Sequence, residues 1–273
     1  MIRQSEKGID YFQFSLLKDI PGLKHAVFTR HRGVSTDPYA SLNVGLTVGD
    51  STERVARNRE LIRASFGNGE LQFIEQVHED GVVVIDPDRP NRVSRPPRGD
   101  ALVTARAGLT LVTQLADCQP VLICDPAHRV IANVHSGWRG SLQNIVGRTV
   151  AVMVDQCGCR PGSLLAGIGP SLGPCCAEFV NYRKEIPPGL WQYRDSRDHF
   201  DFWAISRDQL LDAGLAETHI EVGGLCTRCR TDLFYSYRAE GTTGRFAAAI
   251  VLVGGEDRRQ GAVRLGSQEA GKP

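Results

Sequence analysis

Net charge, methionine and long apolar runs are what this sequence has least of. Across 273 residues, 32 basic and 31 acidic side chains leave a formal net charge of +1. A chain so balanced lacks the broad cationic face on which nucleic-acid binding depends. The longest apolar run, 246–253, covers eight residues, whereas a membrane-crossing helix needs about 20. Residues 1–11 are polar and lack the apolar core of a secretory signal. A cytoplasmic protein with no membrane partner is therefore expected. Two methionines, Met1 and Met153, leave little material for the long axial thioether of a blue-copper centre. Hydrophobic residues at 41% and charged residues at 23% point to a folded chain rather than a disordered one. No repeat or low-complexity linker divides it, so one domain over 1–273 is expected. Within it, the proline- and arginine-rich stretch 86–100 reads as a surface loop and 266–273 as a disordered tail.

Cysteine, by contrast, is plentiful. The eight are Cys118, Cys124, Cys157, Cys159, Cys175, Cys176, Cys226 and Cys229. A reducing compartment argues against structural disulfides, which leaves buried thiols, metal ligands or catalytic groups. Cys226 and Cys229 have C-x₂-C spacing, and Cys157 with Cys159 would complete four zinc ligands. The C-x-C half is atypical, so buried free thiols are the simpler reading. Cys175 and Cys176 are adjacent, an arrangement that seldom puts both thiolates on one ion.

Short apolar runs predict strands at 26–29, 72–77, 82–85, 101–104, 109–115, 120–124, 130–134, 164–168 and 246–253. Helical periodicity predicts helices at 51–66, 142–154 and 206–213, the first and last stopping at Gly67 and Gly214. Hairpins mixed with helices, without strict βαβ alternation, favour the α+β class with mixed sheets.

The segment 116–140, ADCQPVLICDPAHRVIANVHSGWRG, carries the most chemistry. Two apolar runs flank Asp125-Pro126-Ala127-His128, a type I turn signal. A turn centred between Pro126 and Ala127 pairs Asp125 with His128. Counted back along both strands, it sets Cys118 opposite His135 on one face, with Cβ atoms about 5 Å apart. A slip of one residue would separate the two across the sheet. The pair suits either a thiolate–imidazolium nucleophile or two ligands of a zinc ion. A catalytic zinc needs a third protein ligand. His78, closing the strand 72–77 ahead of a turn at Glu79-Asp80-Gly81, is the candidate. The plain alternative is a packed cross-strand pair. After His135, Ser136-Gly137-Trp138-Arg139-Gly140 enters a helix. Glycines there admit a ligand close to the backbone, free N–H groups suit phosphate, and Arg139 offers a bidentate contact. A simple turn with a packed tryptophan would have the same sequence.

The chain resembles the YfiH family, also called the laccase-domain, polyphenol-oxidoreductase or purine-nucleoside-phosphorylase family. The resemblance rests on motifs in order: FTRHRGVS (28–35), PYASLNVG (38–45), Gly49-Asp50, QVH (76–78), DALVT (100–104), ADCQPVLICDP (116–126) and VHSGWRG (134–140). GIGPSLGPCC (167–176), Cys226-Thr227, FYSYR (234–238) and TGR (243–245) complete the series. The resemblance implies a four-layer α/β/β/α sandwich of mixed sheets, similar to bacterial toxin deamidases that use a Cys–His pair. It implies a zinc site of His78, Cys118 and His135, two of which the hairpin reading selects by itself. The family pattern has glycine where this chain has Arg32 and Glu79, which bears on substrate preference. Implied activities are phosphorolysis of adenosine, inosine and S-methyl-5'-thioadenosine, and adenosine deamination. Copper-dependent phenol oxidation and removal of L-serine from a UDP-MurNAc peptidoglycan precursor are also attributed to relatives.

These readings converge on a zinc enzyme acting on a purine nucleoside and phosphate, or on a small nucleotide-linked substrate, with copper the less favoured ion. A zinc held by His78, Cys118 and His135 keeps one position open for water or substrate. Phosphorolysis needs cations for the attacking phosphate. Arg30, Arg139 and Arg238 are the candidates from motif membership, with Asn43 and Ser136 as polar contacts. A homodimer is compatible with this scheme. The rivals are a metal-free hydrolase using Cys118 and His135, and a serine hydrolase at Gly169-Pro170-Ser171-Leu172-Gly173. The latter is disfavoured because Pro174 follows where a helix is needed. Phosphate-loop, dinucleotide-binding and zinc nucleoside-deaminase signatures are absent from the sequence.

Overall fold

Two six-stranded sheets lie face to face, with helices on their outer sides. The computed structural model describes residues 1–6, 8–86 and 95–254. Segment 87–94 of the expected surface loop, and the expected tail at 266–273, lie outside the described residues. The strands are β1 (Ile2–Glu6), β2 (Ile9–Gln13), β3 (Leu23–Phe28), β4 (Glu70–Phe73), β5 (Val82–Ile85) and β6 (Ala101–Thr104). They continue with β7 (Leu109–Leu115), β8 (Gln119–Asp125), β9 (Val130–Ser136), β10 (Leu165–Ile168), β11 (Ile220–Val222) and β12 (Phe246–Leu252). The first sheet runs β1-β2-β3-β12-β7-β4 and the second β11-β10-β8-β9-β6-β5. Parallel pairs β4–β7, β5–β6 and β10–β11 sit among antiparallel ones, so both sheets are mixed. Helices are α1 (Ser15–Lys18), α2 (Thr52–Ser65), α3 (Trp138–Leu142), α4 (Ile145–Cys157), α5 (Tyr182–Glu185), α6 (Phe202–Asp212) and α7 (Tyr237–Glu240).

The layering follows from the two-residue period of the strands. In β8, Val121 and Ile123 face α4 and α6, where Ile145, Val150, Met153 and Leu210 cover them. Leu122 and Cys124 point the other way, into the layer between the sheets, against Val27, Leu111 and Ile250. On the far side of the first sheet, Phe28, Val112 and Ala249 pack under Ile62 of α2. Burying each such large aliphatic contributes about 1.5–3 kcal/mol. One polar residue crosses the central layer. Asn133 of β9 donates to the carbonyls of Leu111 and Ala248, both at 2.9 Å, and accepts from Thr113 Oγ1 at 2.9 Å. That satisfies a fully buried amide and fixes the sheets relative to each other. The result is the α+β, four-layer α/β/β/α sandwich. Among the described residues, no helix is long and apolar enough to cross a membrane.

Three expectations need correction. The β8–β9 hairpin pairs Asp125 with Val130 and Pro120 with His135. Its loop therefore spans 126–129, closed by Asp125 Oδ1 accepting the Ala127 and His128 amides at 2.9 and 3.0 Å and by Arg129 at φ 53°. The register is two residues from the expected one. Because the shift is even, Cys118 and His135 keep one face but lie diagonally rather than directly opposite. The strand expected over 72–77 ends at Phe73, so His78 lies in a link beyond it instead of closing it. The helix expected over 142–154 is two helices, broken at Asn144, whose backbone is left-handed (φ 56°) and whose side chain caps α4 at the Gly147 amide. The edge strand β1 and its neighbour β2 carry no apolar run, only Ile2 in the one and Ile9, Tyr11 and Phe12 in the other, so the hydrophobic pattern does not mark them.

Candidate active site

The mouth of the β8–β9 hairpin brings three donors together. Cys118 stands one residue ahead of β8, His135 sits near the end of β9, and His78 arrives from the 74–81 link. One ligand atom from each lies within 4.8 Å of the others. The two imidazoles meet edge to face, centroids 4.8 Å apart and planes at 89°. The sequence placed all three here; it did not identify what holds them, which is Asp100. This fully buried carboxylate accepts the His78 amide at 3.0 Å and the Glu79 amide at 2.9 Å. Its Oδ1 also takes the His135 Nδ1–H at 2.8 Å, and its backbone carbonyl takes the His135 amide at 2.7 Å. Asp100 thus sets the left-handed backbone of His78 (φ 60°) and the tautomer of His135 together. Burial acts to raise its pKa, but the bonds from His135 and the two amides hold it below the ordinary carboxylate value.

The donor chemistry, two imidazoles and one thiol, fits a catalytic zinc, and all three residues line one cleft. Room for the set depends on Gly137. A Cβ there would stand 3.1 Å from His78 Cδ2 and 3.4 Å from Cys118 Sγ, so any side chain would press on two donors. Met153 is buried between α4 and the second sheet, and Met1 packs beside the central layer. Neither is placed to be the axial ligand of a blue-copper centre. Cys118 and His135 polarise each other. Burial raises the Cys118 thiol, but His135 and His78 pull it down to about 6. Burial lowers His135, but Cys118 and Asp100 push it up to about 9.

The trio opens into a cleft of about 1020 Å³, the upper end of small-molecule sites. Arg59, Arg139, Arg238 and Arg245 line it, together with the aromatic rings of Phe73, Trp138, Phe179, Phe202 and Tyr237. Among the described residues none of these arginines is ion-paired; carbonyls and rings hold them instead. Arg59 donates to the Val44 carbonyl at 2.7 Å and stacks on Phe73 at 3.8 Å. Arg245 donates to Thr243 and Gly244 carbonyls at 3.0 and 2.9 Å. Arg238 reaches the Glu178 carbonyl at 3.1 Å, and Arg139 lies 4.4 Å over Trp138. Carbonyls orient a guanidinium without cancelling its charge, so the wall stays cationic. Burial depresses Arg59 to about 10 and lowers Arg245 as well, the mark of charges held partly out of water.

The residues expected to bind substrate therefore divide. Ser136, Arg139 and Arg238 line the cleft; Arg30 and Asn43 do not. Arg30 is ion-paired to Glu240 at 2.8 Å and covers the Tyr235 ring. Asn43 is fully buried and accepts the Arg245 amide at 2.8 Å, so it positions a cleft arginine from behind. Arg59 and Arg245 went unnoticed, although Arg245 belongs to the TGR motif. Glu79 is exposed and outside the cleft lining. Arg32 is left-handed (φ 70°), which explains why glycine suits that position. Ser171 lines the cleft but accepts the Trp203 indole N–H at 2.6 Å, and a turn rather than a helix follows it. The four-thiol grouping is also corrected. Cys226 and Cys229 meet Cys175 and Cys176, while Cys159 lies in the core under α4 with Cys157 beside it.

The family model described as multi-copper polyphenol oxidoreductase laccase matches residues 24–253. A protein named purine nucleoside phosphorylase YlmD, from Geobacillus stearothermophilus, is 35% identical over 239 residues, covering 81% of this chain and 87% of that one. A purine nucleoside phosphorylase from Deinococcus radiodurans is 37% identical over 249 residues, covering 87% and 90%. The crystal structure of the Geobacillus YlmD superposes with a TM-score of 0.82 at 32% identity, covering 93% of this chain and 99% of that one.

Proposed function

This chain belongs to the laccase-domain family of YfiH and YlmD, and on that premise we propose that it is a zinc-dependent purine nucleoside phosphorylase. Its substrates are adenosine, inosine and S-methyl-5'-thioadenosine, its products the free base and ribose 1-phosphate or, from the last, methylthioribose 1-phosphate, and adenosine deamination is a second reaction of the same cleft. The observation that carries this reading is the set of arginines, with no ion-pair partner among the described residues, that lines the cleft together with aromatic rings beside the His78–Cys118–His135 trio. Arg139, Arg238 and Arg245 hold the phosphate oxygens, and Arg59 adds charge from the back of the cleft. Trp138, Phe179 and Tyr237 offer faces on which a purine stacks. His78, Cys118 and His135 would hold the zinc, with Asp100 keeping the Nδ1 proton of His135 so that Nε2 is its donor atom. When bound, zinc supplies Lewis-acid polarisation of an oxygen at its open position.

One observation favours a second reading. The depressed thiol of Cys118 beside the raised imidazole of His135 is the pairing of a metal-free cysteine hydrolase. Metal content measured on protein purified without added metal separates the two, wild type beside Cys118→Ala. The phosphorylase reading expects Cys118→Ala to lose one zinc per chain, and wild type to release adenine only when phosphate is present. Base release without phosphate, or an unchanged zinc content with inactivation by thiol alkylation, would overturn it.

A further inference from the structure

We propose that Cys175, Cys176, Cys226 and Cys229 form a second metal site, a structural one, that takes a single zinc-like thiophilic divalent ion. Their four Sγ atoms all lie within 4.8 Å of one another. Cys229 Sγ is 3.6 Å from that of Cys175 and 3.5 Å from that of Cys176. A disulfide needs about 2.05 Å. A tetrahedral ion with Zn–S bonds of about 2.3 Å sets its sulfurs about 3.8 Å apart, close to the 3.5 and 3.6 Å from Cys229 and within the 4.8 Å that spans the whole set.

Neighbouring groups support the same conclusion. Residues 174–176 and 227–231 are turns, and the strand-like bridge between Ser171 and Cys226 clamps their bases together. The Gly173 amide donates to Cys226 Sγ at 3.3 Å, a bond that favours thiolate. Cys176 and Cys226 are buried while Cys175 and Cys229 are exposed, so the set is anchored on the inside and open to ion entry on the outside. Adjacency of Cys175 and Cys176 is no obstacle, because the turn directs both side chains to the same point.

The site lies behind one wall of the cleft. The Cys176 carbonyl is 3.5 Å from Arg238 Nη1, and Thr227, next to Cys226, donates to Asp117 at 2.6 Å. The Asp117 carboxylate also receives the Arg238 amide at 2.6 Å. All four ligands are thiolates with no position left for water, so the ion's role is to cross-link two loops that have little regular structure.

The test counts metal in variants that separate the two sites. Cys118→Ala empties the trio, and one zinc per chain should remain. Cys175→Ser combined with Cys229→Ser, both at exposed positions, should remove one equivalent and leave the trio's. Cobalt added to metal-free Cys118→Ala protein should give the strong thiolate-to-metal absorption of several Co–S bonds, which also covers the case of a variant that does not fold. Cys118→Ala protein without metal and without that absorption overturns the proposal, and so does a disulfide among the four cysteines in protein kept reduced. If Cys118→Ala leaves an unchanged content of one zinc, the active-site reading fails and this one stands; if it loses the single zinc of the wild type and gives no cobalt–thiolate absorption, the reverse holds.

Discussion

The two sulfur-bearing clusters are built on opposite principles. The trio gathers at the mouth of the β8–β9 hairpin, mixes imidazoles with one thiol, and has both of its histidines held by a single buried carboxylate at Asp100. The four-thiol cluster stands on turns, is chemically uniform, and is held by backbone bonds between its loops. One lines a cleft of about 1020 Å³; the other closes on itself. Openness is what chemistry needs and closure is what a cross-link needs. Arg238 of the cleft wall lies beside the thiol cluster, within 3.5 Å of the Cys176 carbonyl, so the loops that one cluster ties together also support the cleft of the other.

The comparison is broken most severely at Asp100. Asp100→Ala strips the partner from His135 Nδ1–H and from the amides of Val77, His78 and Glu79, so metal affinity at the trio should fall about 10–100-fold. The same variant should keep the equivalent held by the thiol cluster, and a competition titration with a chelator reads both. Loss of both equivalents would mean the clusters are not independent.

Asp117 probes the link between them. Its carboxylate accepts Thr227 Oγ1, Ser236 Oγ and the Arg238 amide, at 2.6, 2.7 and 2.6 Å. Asp117→Ala should cost about 3 kcal/mol of stability, measured by urea unfolding, and should raise the KM for phosphate through Arg238 more than it lowers kcat. An unchanged KM would uncouple the wall from the cluster.

The smallest effect belongs to a histidine in neither cluster. His25, buried in β3, accepts the Phe14 amide on Nε2 at 2.8 Å. Burial, only partly opposed by Glu221, lowers its pKa from 6.5 to about 4. The folded state therefore prefers the neutral ring. Its contribution is intact above pH 6.5 and is lost as pH falls toward 4, about 2 kcal/mol by pH 5. His25→Gln should flatten that part of the stability–pH curve. A curve unchanged in the variant would assign the acid sensitivity to the clusters instead.

Much of the site was legible because it is local. Cys118 and His135 belong to one hairpin, so their shared face follows from a two-residue period whichever even register the turn chooses. Arg139 follows His135 by four positions and could not be far from it. His78 was placed by the family motif; its left-handed backbone depends on Asp100, twenty-two residues further along the sequence. Nothing in the hydrophobic pattern marks that contact. Arg30 and Arg59 differ in the same way. Both are arginines in polar surroundings, but one finds Glu240 and the other finds the Val44 carbonyl, the Gln114 side-chain oxygen and the Phe73 ring.

What the sequence alone determined was the class of fold, the central hairpin and the three donors. Each rests on periodicity, on turn chemistry or on a motif, and these act over short stretches of chain. What only the tertiary structure decided was which cysteines meet, which arginines keep their charge and which carboxylate orients the histidines. Those outcomes depend on contacts between residues distant in the chain, and a side chain's neighbours there are set by how the sheets and loops pack, not by the residues beside it in sequence.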